Sequence, residues 1–335
     1  MPPAPAPSKP TPSERVRSFT KRKVVVVGDL VADHYIYGQT DRVSREAPVL
    51  VVRYESSEVN LGGGANVAAN VRALEGRVTA IGALGQDEMG TAMRAAFKAA
   101  GIRVKSATAP GLLTETKTRI LAGGMNTTRQ QMLRLDRGPR GPLPLRVRKA
   151  LAAHVTEAAQ SADAIVVSDY GAGSLGEEVR LALRRVAAEG LPVCVDSRYG
   201  LLEYSNVTVL KPNEPELEAL AGRALRTEAE LLEAGRDVVR RMGCKAMLVT
   251  RGRQGMALFD DRGGVELIPV YGAQEAVDVT GAGDTVIAAF TLAVAAGADF
   301  LEAAELANVA GALVVQKQGT ATVSGAELTE ELARS

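Results

Sequence analysis

Residues 278–284 read DVTGAGD, and the acid that ends this segment, Asp284, opens a mostly apolar run, TVIAAFTLAVAAG. A glycine turn entering a helix presents unpaired backbone N–H groups and the positive end of the helix dipole, which together make a natural anion site. N-terminal capping is one explanation for an acid in the first helical turn, and is worth about 1 kcal/mol. Capping gives no reason for two glycines, Gly281 and Gly283, ahead of an acid at a buried helix start. A carboxylate beside an anion hole accepts the proton of an attacking hydroxyl while the N–H groups hold a phosphoryl group in transfer. Asp284 is therefore the candidate base, with Gly281, Ala282 and Gly283 as the turn around the anion.

Two further segments carry residue types of the same chemistry. In KPNEPELEAL (211–220), Asn213 is placed to cap a helix beginning near Pro215, with Glu216 completing a capping-box pair. The same two side chains face one spot and suit the water shell of Mg²⁺, a cation that favours oxygen ligands. Both readings stand. In GGGANVAAN (62–70), a tight turn before a helix and close approach of the backbone to a ligand are both open, because three glycines permit either. Neither a GxGxxG fingerprint nor a GxxxxGK[ST] phosphate loop occurs in the chain.

The elements that must position these residues follow a strand–helix rhythm. VVVVG (24–28) is short, β-branched and unbroken, as expected of a strand buried on both faces, and similar runs recur at 164–168, 192–196 and 246–250. Helical patterns lie between them, with Gly190 and Gly243 near their stops. The expectation is an α/β fold with a mainly parallel sheet and helices on both faces. Residues 34–60 and 112–137 break the rhythm with alternating apolar and polar positions. They read as antiparallel strands with one wet face, able to form a small sheet that serves as a lid or a dimer surface.

Composition limits the alternatives. Forty basic against 39 acidic residues give a net charge of +1, no bulk reason to bind nucleic acid or an anionic membrane. Cys194 and Cys244 sit near apolar runs and are expected as buried free thiols, and His34 and His154 are too few and too isolated for a zinc site. Residues 1–20 are Pro-rich and polar, which predicts a disordered tail ahead of a domain spanning 21–330, and they lack the apolar stretch of a signal peptide. No segment has the length and apolarity of a membrane span, so a cytoplasmic protein is expected.

Taken together, DVTGAGD (278–284), GGGAN (62–66), NEPE (213–216) and VTRGRQG (249–255) resemble, in order, the motifs of the ribokinase-like (PfkB-type) family of sugar kinases. The resemblance covers roughly residues 23–326. It implies a three-layer α/β/α sandwich with a small β-sheet lid, ATP and Mg²⁺ as cofactors, and Asp284 as the base that deprotonates the acceptor. It places Asn213 and Glu216 at the magnesium and phosphate element, with the metal held by Glu216 through water. Thr250, Gly252 and Gly255 would line the nucleotide, and Asn308 its adenine side. Asp33 would grip sugar hydroxyls, with Gly63, Gly64 and Asn66 against the same sugar.

Within the family, GDLVADHYIYGQTDRVSREAPVLVV, TKTRILAGG, RQQMLRLD, VVSDYGAGSL and KQGTATVS are similar to D-glycero-β-D-manno-heptose 7-phosphate kinases. That subgroup phosphorylates the 1-hydroxyl of a sugar already phosphorylated at C7 and serves lipopolysaccharide synthesis. Such an acceptor needs cationic clamps, for which Lys117, Arg119, Arg134, Arg198 and Arg45 are the candidates. Ala172 stands where the subgroup usually has Lys, and Asp196–Ser197–Arg198 where it usually reads DPK. The HxGH-type motif of the adenylyltransferase half carried by some relatives does not occur in these 335 residues. The implied partners are ATP and a sugar phosphate, with a homodimer through the lid strands. A kinase for another sugar or nucleoside, and a non-catalytic sugar- or nucleotide-binding regulator, are the alternatives.

Overall fold

The structure is a computed structural model that describes residues 9–124, 128–139, 141–272 and 275–334. Helix α1 (Pro12–Arg17) and a single 3-10 turn lead into strand β1 (Lys23–Gly28). Two long strands follow, β2 (Leu30–Val43) and β3 (Leu50–Gly63), then α2 (Gly64–Ala73), β4 (Arg77–Ala83), α3 (Glu88–Ala99) and β5 (Arg103–Ala107). A second excursion forms β6 (Thr116–Gly123) and β7 (Gln130–Arg137). The chain then alternates α4 (Leu145–Ala159), β8 (Ala164–Asp169), α5 (Glu177–Ala188), β9 (Val193–Ser197), β10 (Val209–Leu210), α6 (Glu214–Ala221), α7 (Glu228–Met242) and β11 (Ala246–Thr250). Strands β12 (Met256–Asp260) and β13 (Val265–Ile268) precede α8 (Ala282–Ala295), α9 (Phe300–Val314) and α10 (Gly325–Leu332).

Nine strands make the main sheet in the order β13-β12-β11-β10-β9-β8-β1-β4-β5. All its pairings are parallel except those of β11 with β12 and β12 with β13. Alternation along the central strands builds two cores. Val24 and Val26 face the one shared with α2, α8 and α9, while Val25 and Val27 face the one shared with α4, α5 and α7. Burial on both faces is why these strands read as unbroken apolar runs. The helices stop where their chemistry says they should: α7 begins with a Thr227–Glu230 capping box and ends at Gly243 with φ 63°. Cys194 and Cys244 are buried free thiols, as expected.

The second sheet has four strands in the order β3-β2-β6-β7. The expectation of antiparallel strands holds for β2 with β3 and for β6 with β7, but the two hairpins join through a parallel pairing of β2 with β6. Local patterning cannot report this, since the chain passes through α2, β4, α3 and β5 between the two strands. The lid strands also reach further than 34–60, because β2 starts at Leu30 and β3 runs to Gly63.

The N-terminal expectation needs correction too. Residues 1–8 lie outside the described residues, but 11–20 are not a disordered tail. Thr11 and Glu14 form a capping box, Pro12 occupies the first turn, and Val16 and Phe19 are buried in the core that α8 and α9 also build. Arg15 binds Glu302 at 2.8 Å and the Ala296 carbonyl at 2.7 Å. Two well-spaced apolar side chains outweigh a Pro-rich composition here.

Candidate active site

Open α/β sheets place ligands beyond the carboxyl ends of their strands. At that edge the ends of β1, β8, β9 and β10 bring Asp29, Tyr170, Asp196 and Lys211 together around the start of α8. Gly281 precedes α8 with φ 77°, a conformation that favours glycine, and a Cβ there would meet the Asn66 amide at 2.8 Å. The run 278–281 is irregular and leaves Val279 exposed.

Asp284 is only 5 % exposed. One carboxylate oxygen accepts from Asn66 Nδ2 at 2.7 Å and the other from the Tyr170 hydroxyl at 3.0 Å. Burial pushes the carboxyl up to about 7, and Asp196 adds to this, while Asn66, Tyr170 and Lys211 oppose it. The sequence-based anion turn is revised in one respect. The Ala282 N–H donates to the Val279 carbonyl at 3.2 Å, so it is already taken. The N–H groups of Gly283 and Asp284 come next, in the first turn that lacks intrahelical acceptors. Beside Gly283 lie Lys211 Nζ and Asp196, themselves paired at 2.9 Å.

Tyr170 is held by the strand end before it. Buried Asp29 accepts backbone N–H bonds from Tyr170 and Ala172 at 2.9 Å and from Ser174 at 3.0 Å. Asp169 accepts the hydroxyls of Ser197 at 2.9 Å and Tyr204 at 2.8 Å. Burial, then the neighbouring Asp284 carboxylate, push the Tyr170 hydroxyl above its ordinary range and keep it a donor. At Ala172, the main chain contributes to this loop through its N–H.

Both readings of Asn213 and Glu216 meet in the structure. The capping box forms: Glu216 N–H donates to Asn213 at 2.8 Å and Asn213 N–H to Glu216 Oε2 at 2.9 Å. Burial pushes the Glu216 carboxyl up, and Asp196 adds to this. Thr250 N–H donates to the Pro212 carbonyl at 3.0 Å, so this turn abuts the loop after β11. In that loop Gly252 and Gly255 have positive φ, and Arg251 is tied to Glu214 at 2.9 Å and Glu228 at 3.2 Å. Asn308, on α9, donates to the Pro269 carbonyl at 2.7 Å.

The four-stranded sheet supplies the other wall. Asp33 is buried and pairs with Arg119 at 2.6 Å, and Arg119 also lies over Tyr35. Gly63 (φ 56°) and Gly64, which approaches Gly28, shape the β3–α2 junction and carry Asn66 to Asp284. Lys117 Nζ sits 4.8 Å from the Tyr170 ring centre, and burial lowers its pKa. Of the proposed clamps, Arg119 is committed to Asp33 and Arg134 to Asp136 through two 2.7 Å bonds. Arg45 is exposed on the β2–β3 connection. Lys117 and Arg198 have no carboxylate pair among the described residues, and both neighbour Tyr170. Tyr170, Asp196, Lys211 and Asp29 were not singled out as site residues from sequence. Their signals were position at the ends of β-branched runs and, for Asp29, Tyr170 and Asp196, a place inside the segments compared with the heptose kinases.

A buried acid at a helix start, facing a second sheet across the carboxyl ends of a parallel sheet, is an arrangement suited to phosphoryl transfer. Residues 21–326 match the pfkB family carbohydrate kinases, and the chain belongs to that family as an ATP-dependent sugar kinase. It is 40 % identical over 283 residues to the bifunctional protein HldE of Geobacter metallireducens, covering 84 % of this chain and 56 % of the relative. Identity to HldE of Methylococcus capsulatus is 40 % over 294 residues, 85 % of this chain and 58 % of the relative. The chain thus spans little more than half the length of these relatives. Among solved structures, phosphofructokinase-2 from Escherichia coli in complex with potassium aligns with a TM-score of 0.78 at 21 % identity, over 93 % of this chain and 98 % of that one. Ribokinase of Arabidopsis thaliana complexed with ribose and ATP aligns at 0.70 and 24 % identity, over the same shares. These structures share the ribokinase-like fold.

Proposed function

We propose that the chain transfers the γ-phosphoryl group of ATP to the 1-hydroxyl of D-glycero-D-manno-heptose 7-phosphate, in the supply of ADP-heptose for lipopolysaccharide. The observation that carries the transfer is the buried Asp284 carboxylate, raised to about 7, beside the free N–H groups that open α8. The choice of acceptor rests on the heptose-kinase resemblance of 28–52, 116–124, 129–136, 166–175 and 317–324 and on the 40 % identity to proteins named HldE. In the reaction, Asp284 takes the proton of the acceptor hydroxyl as its oxygen bonds to phosphorus, and the bond from phosphorus to the ADP oxygen breaks. The Gly283 and Asp284 N–H groups and Lys211 stabilise the charge on the phosphoryl oxygens. Lys117 and Arg198 hold the 7-phosphate, while Asp33, fixed by Arg119, accepts sugar hydroxyls next to Gly63 and Gly64. Thr250, Gly252, Gly255 and Asn308 line the nucleotide.

The donor set fits Mg²⁺. Glu216 keeps Oε1 outside its capping box, and Asp196 is near enough to act on its carboxyl. Among the described residues no group of three His, Cys, Asp or Glu side chains converges. Mg²⁺ keeps several waters and is held by one or two carboxylates and substrate phosphates, so Glu216 and Asp196 are the candidates. When bound, the ion neutralises charge on the phosphates.

An acceptor panel assayed by ADP release, with ³¹P NMR of the product, tests the substrate. Heptose 7-phosphate is expected to outperform fructose and ribose and to give an anomeric phosphate; equal turnover on all three removes the assignment. Tyr170→Phe tests the base. The Tyr170 hydrogen bond favours the Asp284 carboxylate, so its loss is expected to move the acid limb of kcat/KM from near pH 7 to higher pH, with the plateau retained. An unmoved limb would separate Tyr170 from the titrating group.

The lid also supports a homodimer. Strand β7 is exposed along its length, and Leu133 and Leu135, at 57 % and 59 % exposed, share one face while Arg134 and Asp136 share the other. An exposed edge strand with an apolar face is a pairing surface. Leu135→Glu is expected to shift the protein from dimer to monomer in light scattering. A wild-type monomer at micromolar concentration removes the reading. No helix among the described residues is long and apolar enough to cross a membrane, and we place the enzyme with its soluble substrates in the cytoplasm.

A further inference from the structure

A cavity of about 720 Å³ lies at the amino-terminal edge of the main sheet, the end of β1 opposite Asp29 and the catalytic residues. Its wall carries five basic side chains, Lys23, Arg72, Arg77, Arg103 and Lys105, against two acidic ones, Glu75 and Glu157. Lys105 and Glu157 pair at 2.7 Å. Lys23, Arg72, Arg77 and Arg103 have no ion pair or side-chain hydrogen bond among the described residues. Three of these cations begin the neighbouring strands β1, β4 and β5, and Arg72 lies in the last turn of α2.

Solvation of a strand edge explains scattered cations, and a helix C-terminus explains one of them. Neither explains four unpaired cations around a single concavity in a chain whose net charge is only +1. All four are exposed, so their mutual repulsion is screened, and an anion between them removes what remains. The volume lies in the range of small-molecule sites, roughly 300–1,000 Å³. Glu75, in the cavity wall, follows the end of α2 with φ 69°, and the Glu75 and Gly76 N–H groups close the helix on the Arg72 and Val71 carbonyls. A carboxylate amid unpaired cations has no role toward a bare polyphosphate, but it accepts hydrogen bonds from hydroxyl groups.

We infer that this cavity is a second binding site, separate from the catalytic one, for a small hydroxylated ester carrying two or more phosphate groups. Arg72, Arg77, Arg103 and Lys23 hold the phosphates, with guanidinium groups suited to two-point contact. Glu75 accepts from the hydroxyls.

Hydrogen exchange with fructose 1,6-bisphosphate as the probe locates the binding, and calorimetry measures it. The expected result is saturable binding with slowed exchange at residues 72–79 and 101–105. In Arg72→Gln/Arg103→Gln, which keeps much of the apolar stems, affinity is expected to fall at least tenfold while kcat with ATP stays unchanged. Circular dichroism confirms the variant's fold; should that fold fail, Arg103→Gln alone is read the same way with a smaller loss. The inference is overturned if protection appears only at 170–174, 211–216 and 281–285. It is likewise overturned if the folded variant binds as tightly as wild type, or if chloride at equal ionic strength reproduces the protection.

Discussion

Asp284→Asn is expected to lower kcat by about 10²–10⁴-fold, the usual contribution of a general base, and to make the protein more stable at neutral and alkaline pH. Both effects have one cause. The carboxyl is buried and pushed from 3.8 to about 7, so the fold disfavours its ionised form. Because the folded state holds the proton more tightly than the unfolded chain, the contribution of this group to stability is greatest below about pH 4. It falls as pH rises through the window from 3.8 to about 7, and the loss is complete above it. At roughly 1.4 kcal/mol per pH unit, the penalty at pH 8 is on the order of 4 kcal/mol. Asparagine removes that penalty and keeps the geometry, because its oxygen can accept from Asn66 and its amide can donate to the Tyr170 oxygen. Thermal unfolding from pH 4 to 9 should show the variant gaining over wild type only as pH rises. A variant with near-normal turnover, or one equally stabilised at pH 4 and pH 8, is incompatible with Asp284 as a buried base.

This stored instability explains why Asp284 was legible in the sequence and its neighbours were not. Two glycines before an acid at the head of an apolar helix contradict local preference, and a contradiction of that kind is visible without coordinates. Lys211 breaks no local rule, since a lysine after VTVL reads as a solvated strand end. Only the convergence of β9, β10 and α8 buries it. Tyr170 is 114 positions from the carboxylate it contacts, and no local periodicity carries that distance. The fold shows the same division. Strands β1, β8, β9 and β11 were legible because burial on both faces leaves unbroken apolar runs, whereas the parallel joining of β2 to β6 depends on a long crossover. The N-terminal helix was legible in principle from Thr11–Pro12–Ser13–Glu14, a capping signature that the surrounding prolines obscured.

Lys211→Met is expected to cost both stability and catalysis, and the two losses can be separated. Burial works against the Lys211 charge, but Asp196, Glu216 and Asp284 outweigh it and hold the ammonium above its ordinary value. Its contribution is therefore fully present at neutral pH and is lost only as pH rises through that elevated value. Removing one partner of a buried pair leaves the other charge uncompensated, which typically costs about 3–5 kcal/mol. The pair here is Lys211 with Asp196 at 2.9 Å. Adding Asp196→Asn to Lys211→Met removes the orphaned charge and is expected to restore much of the unfolding free energy in urea. Catalysis should not return with it. Without the ammonium beside Gly283, the phosphoryl oxygens lose a fixed cation, a loss of about 10²–10³-fold in kcat by comparison with other oxyanion donors. Lys211 also favours the Asp284 carboxylate, so the acid limb of kcat/KM is expected above pH 7 in Lys211→Met. A double variant that regains both stability and turnover would reduce Lys211 to a structural counter-ion. Recovery of stability alone, with kcat no lower than in Lys211→Met itself, places the Lys211 charge rather than the Asp196 carboxylate in the transfer step.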